Sequence, residues 1–157
     1  GTQQLSKFEE IKLIKIFILP PNKEELEKRL LQRKQDKKDV VLGINAALQI
    51  GSRDLGQAAI VRNGKVIGLE DTKGTDQLLK SVVPKSINHQ GVLVKVTKPK
   101  QEKRVDLPTI GPDTIENANK AGLSGIAIEA ELSFILEQKK TIEKADKAGL
   151  FILGITT

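Results

Sequence analysis

Apolar residues occur along this chain in short runs that alternate with stretches of helical spacing, a pattern that predicts strands alternating with helices. One run, GVLVKV at residues 91–96, has the β-branched character of a strand buried on both faces. Another, residues 11–19, stops at Pro20-Pro21 and is followed by leucines at helical spacing. This second run predicts one additional β-α unit at the front of the chain.

A helix and a hairpin are predicted in the next part of the sequence. Residues 39–50 have helical spacing, and Gly51 is suited to the position just after the helix. Asn63-Gly64 is a strong signal for a type I′ turn, which would join residues 58–62 and 65–70 as antiparallel strands.

A short helix is expected to start at Gly74-Thr75-Asp76 and to continue through residue 83. Thr75 is a candidate N-cap, and a role in binding is the alternative for the same side chain. The loop that follows, residues 84–90, contains the single histidine, His89, which we interpret as an exposed loop residue.

A repeat defines the last third of the sequence. TIENANKAGL at residues 114–123 recurs as TIEKADKAGL at residues 141–150, and a hydrophobic strand follows each copy. Helix then strand, twice, favours parallel pairing through crossover helices. The predicted fold class is therefore α/β, with a mixed, largely parallel sheet and crossover helices, preceded by the extra β-α unit. Glu129 ends the first of the two strands, either as a surface residue or at the end of the sheet where ligand sites gather.

The strand at residues 91–96 leads into a rigid, charged loop. Five cations gather there around two acids, and Pro108, Gly111 and Pro112 stiffen the backbone that follows; the charged residues are Lys95, Lys98, Lys100, Lys103 and Arg104, with Glu102 and Asp106. Open α/β sheets place ligand sites where strands end in such loops. A solvated basic loop without a ligand is the alternative.

Composition narrows the classes of protein that remain. The 157 residues are enough for one domain with a sizeable core, and the formal net charge of +6 indicates either a phosphate-bearing partner or a lysine-rich genome. The absence of Trp and Tyr disfavours a nucleic-acid partner, since single strands bind by stacking on aromatic rings. The absence of Cys excludes disulfides and thiolate metal sites. The sequence contains no apolar run long enough to cross a membrane. The chain begins at Gly1 and has no Met, which is typical of a fragment, a processed product or a designed protein.

The polar residues are suited to the chemistry of a diphosphate. Lysine acts as a point charge on phosphate oxygens, while arginine can bind two oxygens at once; the candidates are Lys95, Lys98 and Arg104. Carboxylates could activate water or bind Mg2+ or Mn2+; the candidates are Asp54, Glu70, Asp76, Asp106 and Asp113. These acids are scattered and have no metal-ligand spacing. Asp106 is the first choice for the essential carboxylate, and Asp113 is second because it could simply begin a helix behind Pro112.

Three motifs in order resemble the UDP-2,3-diacylglucosamine pyrophosphatase family of lipid A biosynthesis, the type unrelated to calcineurin-like phosphoesterases. KPKQEKRVDLPTIGPDT is similar to its signature loop, and GSRDLGQ at residues 51–57 and Gly74-Thr75-Asp76 match further motifs. The resemblance extends from about residue 43 to residue 154, the whole of that family's C-terminal domain. The family usually has Asp where Glu102 stands.

The resemblance implies hydrolysis of UDP-2,3-diacylglucosamine to UMP and 2,3-diacylglucosamine 1-phosphate with a divalent cation, Mg2+ or Mn2+. Asp106 falls on a family motif position and is the first catalytic candidate, with Asp113 the second; Asp54, Glu70 and Asp76 are the candidates for metal ligation by their chemistry. Substrate binding would fall to Lys95, Lys98, Arg104, Gly74, Thr75 and Thr109. The protein would be cytoplasmic and would meet the inner membrane peripherally. The sequence does not determine the oligomeric state, and a homo-oligomer is one of the alternatives.

Residues 1–41 carry a second resemblance. GTQQL and IKIFILPPNKEELEKRLLQR are similar to the middle of guanylate kinase, where a strand delivers Pro-Pro and then an arginine-bearing helix. The phosphate-binding sequence G-x-x-x-x-G-K-[ST] does not occur, so Arg29 and Arg33 are interpreted as solvated helix charges. We therefore expect a guanylate-kinase-like segment at 1–41 and a pyrophosphatase C-terminal-type domain at 43–157. Because that segment replaces the family's N-terminal domain, an inactive or partner-dependent module is the alternative function, and a kinase-related protein is the second.

Overall fold

The computed structural model describes the backbone of residues 23–99 and 107–157, with side chains from residue 33 onward in the same ranges. The helices of this part of the chain are α1 (Lys23–Gly51), α2 (Gly74–Ser81), α3 (Pro112–Lys120) and α4 (Gln138–Ala148). Its strands are β1 (Ala58–Arg62), β2 (Lys65–Leu69), β3 (Val92–Lys95), β4 (Thr109–Ile110), β5 (Gly125–Glu129), β6 (Phe134–Ile135) and β7 (Phe151–Ile155). None of these helices is long and apolar enough to span a bilayer.

The central sheet is mixed and largely parallel, as predicted. Its strand order is β2-β1-β3-β5-β7, with β1 antiparallel to both of its neighbours and β3, β5 and β7 parallel to one another. Strand β2 consequently runs in the same direction as β3, so four of the five strands end at the same edge. Helix α3 lies on the connection from β3 to β5, and α4 on the connection from β5 to β7, which confirms the crossover helices.

Helices cover both faces of this sheet. Helix α1 packs on one face, where its Val40 and Ile44 join Val92 and Val94 of β3 in a buried cluster. Helices α2, α3 and α4 cover the other face, where the side chain of Leu93 points because successive strand residues alternate between faces. Two short strands, β4 and β6, pair in parallel as a small separate sheet that the sequence pattern did not predict.

The repeat forms two equivalent helix-strand units. Helix α3 leads into β5 and helix α4 into β7, and each helix is followed by a glycine in the left-handed conformation, with φ of +67° at Gly122 and +69° at Gly149. Glycine adopts this conformation without the steric cost that a Cβ atom imposes. The same sequence signal thus ends both helices and turns the chain into the next parallel strand.

Helix α1 is one continuous element where the sequence suggested two. The helix predicted over residues 39–50 is its second half, and Gly51 is its last residue rather than the residue after it. No Pro or Gly occurs between Lys34 and Leu42 to interrupt it. At Gly43 the helix approaches β3 so closely that an added Cβ would lie 2.4 Å from Cγ2 of Val94. The strand predicted at residues 11–19 lies outside the described residues.

The hairpin between β1 and β2 has the predicted turn, and α1 anchors it. Asn63 and Gly64 both have positive φ, 51° and 75°, as a type I′ turn requires. Their backbone N–H groups donate to the carboxylate of Asp39 on α1, with N···O distances of 2.9 Å and 2.7 Å. The Asp39 side chain is fully buried and also accepts a 2.8 Å hydrogen bond from Nε2 of Gln35. A buried carboxylate therefore ties the helix to the turn.

Candidate phosphate site at the carboxyl edge of the sheet

The edge at which β2, β3, β5 and β7 end, here called the carboxyl edge, collects the buried charged residues of the sheet. Glu70 follows β2, Lys95 ends β3 and Glu129 ends β5, and all three are buried. Ligands of open α/β sheets bind outside such strand ends. Charged groups are seldom buried unless they are hydrogen-bonded or paired, so each position needs a partner.

Lys95 and Thr109, both predicted to bind substrate, lie together. The Lys95 side chain is only 5% exposed, and its Nζ donates a 3.0 Å hydrogen bond to the carbonyl oxygen of Thr109. The Thr109 hydroxyl in turn donates to the carbonyl oxygen of Leu107 at 3.0 Å. This places a buried cation where β3 leaves the sheet and joins it to the start of β4.

Lys98 and Asp54 form an ion pair, although the first was predicted to bind substrate and the second a metal. Nζ of Lys98 lies 2.8 Å from Oδ1 of Asp54, with the side chains 20% and 86% exposed. Asp54 lies in the turn after α1 and has a φ of 57°. The Lys98 ammonium, through its hydrogen bond and its charge, holds the pKa of the Asp54 carboxyl below its ordinary value.

The ion pair between Lys98 and Asp54 allows the pKa of Asp54 to be tested. We expect an NMR titration of the Asp54 carboxyl carbon to give a pKa below 3.8, and Lys98→Ala to return it towards that value. Because the folded-state pKa is lowered, the ion pair is present at neutral pH and is lost as the pH falls through the folded-state pKa. Salt at about 1 M should shrink the shift, since the pair is exposed. A pKa at or above the ordinary value in the unsubstituted protein would contradict the prediction.

Glu70 and Thr75 contact each other at the far end of the carboxyl edge. The Glu70 carboxylate accepts the Thr75 hydroxyl hydrogen bond at 2.5 Å and the backbone N–H of Gln57 at 2.7 Å. Thr75 is the second residue of α2, and Lys73 is the N-cap, so the N-cap prediction for Thr75 is wrong. Gly74 has a φ of +81°, a conformation that favours glycine and turns the chain into the helix.

The remaining predicted acids do not join a common metal site. Asp76 is exposed and accepts a 3.1 Å hydrogen bond from Nδ2 of Asn117. Asp113 is exposed in the first turn of α3. Within residues 33–99 and 107–157, no three His, Cys, Asp or Glu side chains form a group that could hold a metal ion. Asp54, Glu70 and Asp76 each have a different protein partner, so as a set they do not fit one divalent cation.

Two of the predicted residues, Arg104 and Asp106, lie outside the described residues. Lys98 and Thr109, two and three positions from the ends of that segment in the sequence, lie at the carboxyl edge. His89 is exposed, with Nδ1 3.4 Å from the carbonyl oxygen of Leu123, in agreement with its interpretation as a loop residue.

The sequence left open the role of Glu129, which is a central residue of this edge. It is only 6% exposed, so its interpretation as a surface glutamate is wrong. Its carboxylate accepts hydrogen bonds from the backbone N–H and hydroxyl of Thr97 and from the hydroxyl of Thr157. Its position at the end of a wholly buried strand was the available signal, but the partner threonines are distant in sequence.

A mixed, largely parallel sheet with a buried lysine and two buried carboxylates at its carboxyl edge is typical of α/β domains that bind ligands at strand ends. The model of the LpxI C-terminal domain family matches residues 24–153, and the chain belongs to this family. The family resemblance stated from the signature loop is thereby confirmed.

Two curated proteins match this chain over different lengths. A protein of Caulobacter vibrioides described as UDP-2,3-diacylglucosamine pyrophosphatase LpxI is 43% identical over 124 residues, which cover 74% of this chain and 44% of that protein. The guanylate kinase of Paramagnetospirillum magneticum is 49% identical over 41 residues, 26% of this chain and 19% of the kinase. The chain thus spans less than half the length of the pyrophosphatase that it resembles.

Proposed function

We propose that this chain hydrolyses the pyrophosphate bond of UDP-2,3-diacylglucosamine, yielding UMP and 2,3-diacylglucosamine 1-phosphate in lipid A biosynthesis. The supporting observation is the buried Lys95 ammonium, held 3.0 Å from the Thr109 carbonyl at the carboxyl edge, in a chain of the LpxI C-terminal domain family. A substrate of this kind presents two linked phosphates, and their negative charge requires cations at fixed positions.

Two lysines would bind the diphosphate from the end of β3. Lys95 is already held by Thr109, so little side-chain freedom is lost when a phosphate oxygen approaches it. Lys98 contacts the exposed carboxylate of Asp54, which an arriving phosphate would replace. Arg104 would add a planar donor that can contact two oxygens. The Gly74-Thr75 turn would border the same ligand from the end of β2.

The hydrolysis needs a water molecule and a proton acceptor. The water oxygen attacks one phosphorus, the bond from that phosphorus to the bridging oxygen breaks, and the bridging oxygen leaves on the other phosphate. We assign the proton of the attacking water to the Asp106 carboxylate, with Asp113 as the second candidate. A divalent cation, Mg2+ or Mn2+, would add further neutralisation of the phosphates, but no carboxylate of the described residues is assigned to hold it.

The proposed lipid substrate also indicates where in the cell the chain would act. An acylated, UDP-linked glucosamine resides in a membrane, so the protein would act peripherally at the cytoplasmic face of the inner membrane. A homo-oligomer would be one way to complete the site in a chain that spans 44% of its pyrophosphatase relative.

One observation favours a second candidate function, a folded module that is inactive alone or needs a partner chain. A stretch of 41 residues matches a guanylate kinase, and the matched share of the pyrophosphatase is less than half. A kinase-related activity has weaker support, because the phosphate-binding sequence G-x-x-x-x-G-K-[ST] is missing from the chain. Turnover of ATP with GMP would restore that third candidate.

The proposal is tested by UDP binding and by UMP release from the purified chain. We expect Lys95→Met to weaken UDP binding about 10- to 100-fold in calorimetric titration, because a charged hydrogen bond of roughly 1.5–3 kcal/mol is removed. Lys80→Met is the matched control, since Lys80 is exposed in the last turn of α2, and its affinity should stay within about twofold. Unchanged affinity in Lys95→Met would remove this lysine from the site. UDP binding without UMP release would favour the module.

A further inference from the structure

Just after β3, the backbone forms a hydrogen bond on each side, towards β1 and towards β5. The N–H of Val96 donates to the carbonyl oxygen of Gln57 at 3.0 Å, on the side of β1. The N–H of Thr97 donates to Oε2 of Glu129 at 2.7 Å, on the side of β5. These are the two residues between Lys95, which ends the strand, and Lys98. The direction in which Lys98 leaves the sheet therefore depends on two hydrogen bonds, and the acceptor of one of them is a side chain.

Burying the Glu129 carboxylate carries a desolvation cost in free energy. A carboxylate that is 6% exposed loses most of its hydration, and this cost must be offset by hydrogen bonds or by a cation. Among the residues that the structure describes, no lysine or arginine lies within 4.0 Å of its oxygens. Its compensation comes from three donors, two on Thr97 and one on Thr157.

These donors are divided unequally between the two oxygens. Oε2 accepts both the N–H and the hydroxyl of Thr97, while Oε1 accepts the hydroxyl of Thr157. With Oε2 holding two atoms of one residue, Thr97 is fixed in both backbone and rotamer. The carboxylate thus acts as a clamp on the residue that immediately precedes Lys98.

We propose that Glu129 is a positioning residue of the phosphate site: it fixes Thr97, and through Thr97 the position of Lys98, without itself contacting the ligand. The identity of that ligand rests on the proposed function, whereas the fixing of Thr97 does not. A role of this kind requires an acceptor at the position of Oε2. It does not require a negative charge that takes up a proton or binds a metal.

Glutamine and alanine variants separate these roles. Glu129→Gln keeps an oxygen for the two Thr97 donors and can turn its amide NH2 towards the Thr157 hydroxyl, which can accept as well as donate. Glu129→Ala removes the acceptor altogether. Glu143→Ala is the matched control, because Glu143 is an exposed residue of α4.

The experiment measures amide hydrogen exchange at Thr97 by NMR together with the affinity for UDP. In Glu129→Ala we expect Thr97 exchange to be at least about tenfold faster and UDP binding about tenfold weaker. In Glu129→Gln both quantities should stay within about threefold of the unsubstituted chain, and in Glu143→Ala neither should change. If Glu129→Ala does not fold, Thr97→Val, which removes one of the two donors, is expected to weaken UDP binding about threefold.

Three outcomes would overturn the inference. Thr97 exchange that is unchanged in Glu129→Ala would show that the carboxylate does not hold this residue. Loss of UMP release in Glu129→Gln with normal Thr97 protection would show that the charge itself acts, as a base or a metal ligand. Undiminished UDP binding in Thr97→Val would disconnect Thr97 from the site. If the unsubstituted chain bound no UDP, the proposed function would fall, while the exchange data would still decide whether Glu129 holds Thr97.

Discussion

Replacing Asp106 by alanine is expected to abolish UMP release from UDP-2,3-diacylglucosamine while leaving the fold and UDP binding intact. The aspartate follows the cations of the signature loop and precedes the rigid sequence Leu-Pro-Thr. On its carboxyl side the described chain is tied to the site, because the Thr109 carbonyl accepts the hydrogen bond of Lys95 at 3.0 Å. Loss of a general base typically reduces the rate by about two to four orders of magnitude.

The measurement is single-turnover release of UMP, made on this chain and on a full-length family member that has the matching aspartate. Asp113→Ala is the comparison variant. Asp113 is exposed in the first turn of α3, where an acid stabilises the helix, so its loss should cost roughly 0.3–1 kcal/mol of stability and leave most of the activity. Near-normal turnover in Asp106→Ala would exclude Asp106 from the mechanism, and loss of turnover in Asp113→Ala alone would transfer the role.

The largest effect on stability is expected from Asp39→Ala. The carboxylate is fully buried and accepts hydrogen bonds from Gln35 and from the N–H groups of Asn63 and Gly64. Alanine would remove the charged acceptor of both turn N–H groups. Hydrogen bonds to charged groups contribute roughly 1.5–3 kcal/mol each, and water can replace part of this because Asn63 and Gly64 are exposed. We therefore expect the free energy of unfolding to fall by roughly 2–4 kcal/mol, a large share of the stability of a domain this size.

Urea denaturation followed by circular dichroism measures this change. Asp71→Ala is the matched control, since Asp71 also accepts a backbone N–H, that of Lys73 at 2.8 Å, but is exposed. The control should lose less than about 1 kcal/mol, because water replaces the acceptor. A loss in Asp39→Ala no greater than in the control would mean that the hairpin turn does not depend on α1.

Local signals in the sequence predicted most of the fold. The Asn63-Gly64 turn, the two copies of the helix-strand repeat and the apolar run of β3 each depend on residues close together in the chain, so their structures can be read directly. The division of α1 was wrong for the same reason. Residues 34–39 are all polar and separate the leucines of its first half from the apolar residues after Asp39, so the pattern indicated two helices.

The contacts of the predicted site residues could not be derived from the sequence. The strand ends indicated the carboxyl edge as a place for a ligand, and the structure brings Lys95 and Thr109 together at this edge. The pairing of Lys98 with Asp54 joins residues 44 positions apart, and the contact of Glu129 with Thr97 joins residues 32 positions apart. No spacing rule relates residues so far apart. The sequence therefore could not show that the acids expected to bind a metal have hydroxyl, amide or ammonium partners.

Because α1 is continuous, the length of any segment that replaces the start of this chain determines its orientation. The helix has 29 residues, and the family match begins at its second residue, Glu24. Each residue inserted or deleted ahead of Asp39 would rotate whatever is attached to the helix start by about 100° around the axis and shift it by about 1.5 Å. Replacement segments should therefore be compared in steps of about 18 residues, five full turns, which preserve the orientation of the attached segment.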